Sequence, residues 1–322
     1  MTASLPESVR GAFERFVTCE YTTVDANQQP IVWPVTPYYT QGAPTIDVTT
    51  GLGYPKKADD AIRNPRVALL FSDPTGSGME SGPRVLVQGT ADVDDRDLEA
   101  NRVRYWRESS EKLPGIHNMH PPRFIRGMFD WYYSRIYVKV RPERVFVWAD
   151  GDPGKPPELL DARIEEVRSG HSEEPLEPHE PVIGGEPRWD ERIDELGRRH
   201  RTAVLSWVAP DGFPLSARVP VRVDHEEGRV DLGDAPPGLP VAEGRACLVA
   251  HAHAPDFAWQ ENFQLRGDLV PAGGGWALVP RKLIGGFELP DESMAARYRR
   301  NATKSLRFYR TARRRKRQRP GA

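Results

Sequence analysis

The stretch "TTGLGYPKKADDAIRNPRVALLF", residues 49 to 71, decides how the rest of the chain is interpreted. Thr49 and Thr50 end a β-rich segment, and Lys56 and Lys57 then open a short helical run that leads into an apolar strand pattern. The first turn of a helix carries unpaired N–H groups and the positive end of the helix dipole. Two ammonium groups and two hydroxyls beside such a turn would suit a phosphate, and a solvated loop with two ordinary surface lysines is the alternative interpretation.

The composition is that of a globular protein in water. The chain has 322 residues, of which 38% are hydrophobic and 28% charged, and this length suits two domains. The net charge of -1 gives no overall attraction to nucleic acid or membrane, although seven Arg and Lys residues crowd residues 310–322. No run reaches the roughly 20 apolar residues of a membrane helix, and no signal segment is recognised, so we expect a cytoplasmic protein without a membrane partner.

The sequence pattern repeats once along the chain. The segment "VTCEYTTVDANQQPIVWPVTPYYTQGAPTIDVTT" has a counterpart in "TAVLSWVAPDGFPLSARVPVRVDHEEGRVDLG". The later segments "NPRVALLFSD", "VLVQGTADV" and "YVKVRPERVFVW" match "EGRACLVAHAH", "FQLRGDLV" and "WALVPRKLIGGFEL" in the same order. We therefore predict a first unit at 1–150, an acidic, Pro-rich linker at 151–188, a second unit at 189–309 and a disordered basic tail at 310–322.

Each unit is predicted to consist of about six short strands with a helix between the third and the fourth. Pro34 and Pro37 cannot donate hydrogen bonds to a neighbouring strand, so the second strand is expected at an edge, bent, or facing a ligand. The segment around Pro142 reads as two strands joined by a turn. This pattern favours a small closed or split barrel in each unit, with a β-sandwich as the competing architecture.

The order of these elements resembles the flavin-binding split-barrel superfamily of pyridoxamine-phosphate-oxidase-like and flavin/deazaflavin oxidoreductase proteins. The resemblance rests on the "DANQQP" turn, the strand ending in "TT", the "KK" pair, the following helix, "NPRVALLF" and "RVLVQGTADV". It covers about residues 12–148 and is weaker over 189–290. It implies a mainly β fold with peripheral helices, in which two tandem split β-barrels form an internal pseudo-dimer.

The resemblance also implies which residues hold the cofactor. The phosphate would be bound by the ammonium groups of Lys56 and Lys57, with Lys57 the stronger match, and by the hydroxyls of Thr49 and Thr50. The second strand would pass along the isoalloxazine ring and contribute Val32, Trp33, Pro34, Val35 and Thr36.

Two further residues are implied on the strand that usually lies near the ribityl chain or the phosphate. These are Arg84 and Gln88, and an exposed strand face is the alternative interpretation for both. The second unit departs from the pattern, because "DAPPGLPVAEGRACLV" contains no lysine pair, no "TT" and no helix-length run. We therefore expect one cofactor site in each chain, completed by the second unit.

The leading functional hypothesis is an oxidoreductase that uses FMN, or alternatively a deazaflavin coenzyme, to move a hydride to or from a small molecule. No side chain is singled out as a catalytic acid or base. A non-catalytic flavin- or haem-binding sensor or carrier is the alternative. We expect no metal site, since His251 and His253 have no third ligand nearby in sequence. The pseudo-dimer is expected to make one chain sufficient as a monomer, with the basic tail as the one candidate for a weak nucleic-acid contact.

Overall fold

A computed structural model describes residues 5–79, 82–113, 129–161, 187–285 and 294–318. The elements of the first unit are α1 (Glu7–Arg15), β1 (Cys19–Val24), β2 (Pro30–Val35), β3 (Ile46–Gly51), α2 (Lys56–Arg63), β4 (Arg66–Phe71), β5 (Arg84–Asp94), α3 (Leu98–Lys112), α4 (Asp130–Tyr133), β6 (Arg135–Trp148) and β7 (Glu158–Asp161). Those that follow are α5 (Arg192–Arg199), β8 (Thr202–Val208), β9 (Pro214–Pro220), β10 (Arg222–Asp224), β11 (Arg229–Gly233), β12 (Gly244–His253), β13 (Gln260–Ala272), β14 (Gly275–Gly285) and α6 (Met294–Arg317).

The predicted repeat is present in the topology of the two sheets. The first sheet has the strand order β2-β1-β4-β5-β6-β3, and the second contains the order β9-β8-β12-β13-β14-β11. Each strand of the first unit thus has its counterpart at the same place in the second. Strand β7 is added beside β6, and β10 is added beside β11. The chain therefore folds as two tandem antiparallel split-barrel units, mainly β with helices at the periphery.

A glycine in each unit allows the same irregularity in the sheet. Gly89 lies opposite Pro142 at a register shift between β5 and β6, and Gly267 lies opposite Pro280 at the equivalent shift between β13 and β14. A Cβ atom on Gly89 would lie 2.1 Å from a backbone carbonyl oxygen, and one on Gly267 would lie 2.0 Å from another. Both positions require glycine because the partner strand approaches too closely for any side chain.

This irregularity corrects the expected turn at Pro142. Strand β6 runs without interruption through Pro142, because the bulge accommodates the missing N–H group without ending the strand. The expected position of the proline-containing second strand is confirmed. Strand β2 is the end strand of its sheet and pairs only with β1. The side of β2 that faces away from β1 has no neighbouring strand in the described part of the chain, so the missing N–H groups of Pro30 and Pro34 cost no strand-to-strand hydrogen bond there.

The two units pack face to face and share a hydrophobic core. Ala68, Leu70 and Leu86 of the first unit lie in one buried cluster with apolar residues of β8, β9, β12 and β13. At its centre, the hydroxyl of Thr22 lies 3.1 Å from that of Ser206 and 3.0 Å from that of Ser216. A second cluster fills the interior of the first barrel. The internal pseudo-dimer is therefore built on an apolar face that neither unit could leave in water.

Two expected boundaries are wrong. The linker is not irregular throughout, because after residues 151–157 the segment Glu158–Asp161 forms β7 on the edge of β6. The basic tail is not disordered from residue 310, because α6 continues to Arg317 and packs against the first unit. Its apolar and charged contacts are long-range and could not be found from local composition. Residues 162–186 of the linker and 319–322 lie outside the described residues.

None of the described helices combines the length and the apolarity that a bilayer crossing requires.

We predict that Gly89→Ala lowers the free energy of unfolding by about 1–3 kcal/mol, because the new methyl group must displace the backbone of β6. Gly11→Ala in α1 is the control, since a helical Gly→Ala change meets only the flexible side chain of Arg15. Urea denaturation of both variants measures the difference. Equal stability of the two variants would contradict the close approach of β6 to Gly89.

Candidate functional site

The end of β3 and the start of β6 form the base of the predicted phosphate site. Gly51 pairs with Arg135 across the two strands, and Thr50 pairs with Ile136. After β3 the chain turns through Gly53 and Tyr54, and α2 begins at Lys56 behind Pro55, which provides no side-chain cap. Pro55 leaves the first-turn amides without a capping side chain, so this helix start remains open to an anion.

Arg135 is the most unusual residue of this region. Its side chain is buried, and its guanidinium lies 3.9 Å from the ring centre of Tyr105 and 4.2 Å from that of Tyr132. It donates hydrogen bonds to the hydroxyls of Tyr54, at 3.0 Å, and of Tyr105, at 2.6 Å. Among the described residues no carboxylate pairs with it, and its Nε has no acceptor. A permanent positive charge is thus held in the interior by aromatic faces and neutral hydroxyls.

Lys57 adds a second cation to the same region. Burial, followed by the positive charge of Arg135, lowers the pKa of Lys57 to about 8. Within the described part of the chain, Lys57 makes no hydrogen bond or ion pair. We call Lys57 and Arg135 the cation pair. Two like charges that lie close enough to repel each other, without an acid between them, form a region of positive potential suited to an anion.

Lys56 has a different role from its neighbour. Its ammonium group is exposed and lies 3.1 Å from the Oδ1 of Asp60, and Arg63 lies 3.2 Å from the same oxygen. Asp60 is buried, and burial is the main cause that raises its pKa. Lys56 also lies 3.4 Å from Asp25. The two predicted lysines therefore differ in role. Lys56 neutralises a buried acid, whereas Lys57 has no acid partner among the described residues.

The two predicted threonines also differ. The hydroxyl of Thr50 is buried and donates to the carbonyl oxygen of Tyr54 at 2.9 Å, so its proton is already used within the turn. Thr49 is half-buried on the opposite face of β3. The isolated bridge between Tyr38 and Asp47 brings the chain after β2 next to β3. Thr36 follows the last residue of β2 and is half-buried, two residues before this bridge.

The predicted residues of β2 are divided between the two cores and the interface. Val32 is buried in the shared core, and its carbonyl oxygen accepts a 2.6 Å hydrogen bond from Gln264 of the second unit. Val35 is buried in the core of the first barrel. Trp33 and Pro34 are half-buried. The ring of Trp33 reaches Gly285 of β14, so the second unit lies beside this strand as the resemblance implies.

Arg84 and Gln88 are not brought to the cation pair. Arg84 pairs with Trp148 at the end of β6 that is opposite to Arg135. Its charged neighbours there include Arg218, Glu20 and Asp152. Gln88 is buried and donates to the carbonyl oxygen of Pro214 at 2.9 Å. Gln88 thus contributes a polar contact between the two units, whereas one guanidinium nitrogen of Arg84 is buried without a hydrogen-bond partner in the described residues.

Aromatic side chains cover the turn between β3 and α2. The ring of Tyr54 contacts those of Trp131 and Phe308, with ring centres 6.1 and 5.4 Å apart. Trp131 belongs to α4 and Phe308 to α6, and a Cβ atom on Gly53 would lie 2.8 Å from Phe308. Helix α6 therefore returns from the second unit to form an outer wall of this region.

Sequence reasoning missed Arg135 as a site residue. Arg135 lies in the basic and aromatic stretch "RFIRGMFDWYYSRIY", whose composition does not distinguish it from the other arginines there. The pairing of Gly51 with Arg135 joins positions 84 residues apart, which no local pattern reveals. The one local signal for Arg135 is its position: it is a charged residue that follows two tyrosines and directly precedes an alternating apolar strand.

The polar contact between the units centres on Glu20, which is buried. One of its oxygens accepts from His251 at 2.8 Å, from Ser72 at 2.8 Å and from Arg218 at 3.1 Å. His253 lies 3.2 Å from the hydroxyl of Thr18. In the described residues no group of three or more His, Cys, Asp or Glu side chains could hold a metal ion. These histidines join the two units.

No protein-family model matches the chain, and no curated protein matches its sequence. Solved structures do match, each over about half of the chain. A putative pyridoxamine 5'-phosphate oxidase from Listeria innocua is 18% identical over 45% of this chain and 98% of its own, with a TM-score of 0.31. An F420 reductase is 18% identical over 44% and 98%, with a TM-score of 0.32. The heme storage protein HutZ from Vibrio cholerae is 21% identical over 44% and 93%, with a TM-score of 0.29.

Such low identities and scores carry no argument about a cofactor or a reaction. The fold is established by the strand order of the two sheets. At that level, the resemblance to tandem split barrels expected from the sequence is confirmed.

The two lysines should respond oppositely to removal of their charge. We predict that Lys57→Met raises the free energy of unfolding of the ligand-free protein by about 1 kcal/mol, because it removes repulsion with Arg135 and the cost of burying an ammonium group. Lys56→Met should lower it by about 1 kcal/mol, because buried Asp60 loses a partner. Urea denaturation at pH 7 measures both. Destabilisation by both variants would mean that Lys57 has a structural partner.

Proposed function

We propose that this protein is a flavin- or deazaflavin-dependent oxidoreductase that holds one cofactor in its first unit, with FMN as the first choice. The observation that supports this proposal is the cation pair. Lys57, at the start of α2, lies near enough to Arg135, at the start of β6, for the charge of Arg135 to lower its pKa, and neither cation has a carboxylate partner among the described residues. A cofactor phosphate would supply the missing negative charge.

The residues fit a phosphate in part. Lys57, Arg135 and the uncapped first turn of α2 are suitable donors, because none of them is paired with an acid in the described part of the chain. Thr50 fits less well than the resemblance implies, since its hydroxyl already donates to Tyr54. The amides of Leu52 and Gly53 are likewise used, by the carbonyl oxygens of Ser134 and Trp131. The phosphate would thus be held by side-chain cations and the helix start rather than by the glycine turn.

A flavin or deazaflavin, when bound, supplies hydride transfer. The chain itself would contribute binding, orientation and exclusion of water. Tyr54, whose hydroxyl accepts from Arg135, packs against Trp131 and Phe308, and a less polar surrounding would strengthen the interaction of Arg135 with an anion. Trp33 on β2 and Thr36 just after it would flank the ring, as the resemblance implies. A small-molecule substrate would approach the exposed side of that ring.

Mass spectrometry of the small molecule released from purified protein tests this proposal. FMN or a deazaflavin, with the matching visible absorbance, is the expected result, together with oxidation of a reduced cofactor by an added small-molecule acceptor. A bound flavin that supports no turnover would favour the carrier alternative. Release of haem, or absence of any flavin after incubation with FMN and deazaflavin, would contradict the proposal.

We predict that Lys57→Ala weakens FMN binding tenfold or more, because a charge-assisted contact to phosphate contributes roughly 1.5–3 kcal/mol. Lys155→Ala is the matched control, since Lys155 is an exposed lysine whose partner is Asp150. Fluorescence titration with FMN and with riboflavin, which lacks the phosphate, separates the contributions. An equal loss for both ligands would show that Lys57 does not contact the phosphate.

The lowered pKa of Lys57 predicts a pH dependence. The ammonium form binds phosphate, and the free protein loses that proton near pH 8, so FMN affinity should fall as the pH rises from 7 to 9. The phosphate itself remains doubly ionised over this range. Lys57→Arg, which stays protonated, should make the affinity nearly constant. A profile that is identical in the two proteins would assign the pH dependence to another group.

A further inference from the structure

Helix α6 carries an unusual distribution of charge. Between Met294 and Gln318 the sequence contains no acidic residue and many arginines. Side chains are described from Thr303 onwards, and there the cations divide into two sets. This division determines which side of the helix is available to a partner.

One set of cations faces the first unit and is neutralised there. Arg315 forms ion pairs with Asp59 and Asp95, and Lys316 pairs with Asp130. Ala312 is buried in the core of the first barrel. Phe308 contacts Tyr54 and Trp131 on the same side. This face of α6 is therefore fixed on the protein by apolar contacts and by acids.

The other set points to solvent. It consists of five exposed arginines, which we call the arginine face: Arg307, Arg310, Arg313, Arg314 and Arg317. At 100° per residue these positions span an arc of about 120°, opposite Phe308 and Ala312, and extend about 15 Å along the helix axis. None of them has an ion-pair partner among the described residues. The arginine face is thus a rigid, uncompensated strip of positive charge on a chain whose remaining surface is acidic.

We propose that the arginine face binds duplex nucleic acid through its phosphate backbone, without sequence specificity. Guanidinium groups match phosphate oxygens in geometry and charge, and the width of the strip suits a helix lying against a groove between two phosphate rows. Membrane attachment is disfavoured, because an interfacial helix inserts an apolar face and the apolar side of α6 is already used against the barrel. The exposed Leu306 and Tyr309 are too few to replace it.

The proposal is tested by fluorescence anisotropy with a labelled 20-base-pair DNA duplex and the full chain. Neutralising about four to five phosphates predicts an affinity that falls by about 10²–10³-fold between 50 and 200 mM salt. The variant Arg310→Gln/Arg314→Gln/Arg317→Gln should bind at least tenfold more weakly at 50 mM salt and show a smaller salt slope. Glutamine preserves helix propensity, which circular dichroism verifies.

The control removes the same number of charges elsewhere. It is Arg102→Gln/Arg198→Gln/Arg222→Gln, at exposed sites where each arginine has an acidic partner. This variant should bind the duplex as the original protein does. Absence of binding at 50 mM salt, or equal loss in the two triple variants, would overturn the proposal. Tighter binding to phosphatidylserine-containing vesicles than to the duplex would overturn it in favour of a membrane surface.

Discussion

The structure depends on one apolar face that the two units share. Leu70 and Leu86 of the first barrel are buried only because β8, β9 and β12 lie against them. The area is not uniformly apolar, since Thr22 meets Ser206 and Ser216 there, and Glu20 accepts hydrogen bonds from groups of both units. Each of these polar groups has its partner in the other half of the chain. The buried apolar area therefore stabilises the contact between the two units, and the polar pairs fix how the two units are aligned.

Sharing this face frees the two units to differ elsewhere. The first retains a helix after its third strand and concentrates Lys57 and Arg135 beside it. In the second, the chain between Gly233 and Gly244 forms no helix, and Gly238 in that loop lies against Pro156. This loop of the second unit thus packs against the segment that follows the first unit. An uncompensated cation pair costs stability in the first unit, and that cost is expected where a ligand offsets it.

Much of the fold was predictable because it follows from local pattern and repetition. The edge position of β2 was one of the positions expected from its prolines, and the matching strand order of the two units follows from the repeat. The location of α6 was not predictable. Its sequence reads as a charged, solvated segment, and only the distant Asp59, Asp95 and Asp130 explain its order.

The site was predictable only in part. The position of Lys57 at a helix start follows from the sequence, and its binding of phosphate stays a prediction; its difference from Lys56 depends on the burial of Asp60. Arg135 was missed because its pairing with Gly51 is created by the sheet. Arg84 and Gln88 were placed at the site by resemblance alone; the register of β5 with β6 sets Arg84 opposite Trp148 and Gln88 opposite Arg144, away from Arg135.

We propose that one chain forms a complete pseudo-dimer with a single cofactor site. The most direct measurement is the number of FMN or deazaflavin equivalents bound per chain, determined by titration under conditions where sedimentation equilibrium gives the molecular mass. The account predicts one equivalent bound to a monomer. Two equivalents per chain would show that the second unit retains a site, and binding only by a dimer of chains would show that the internal partner is insufficient.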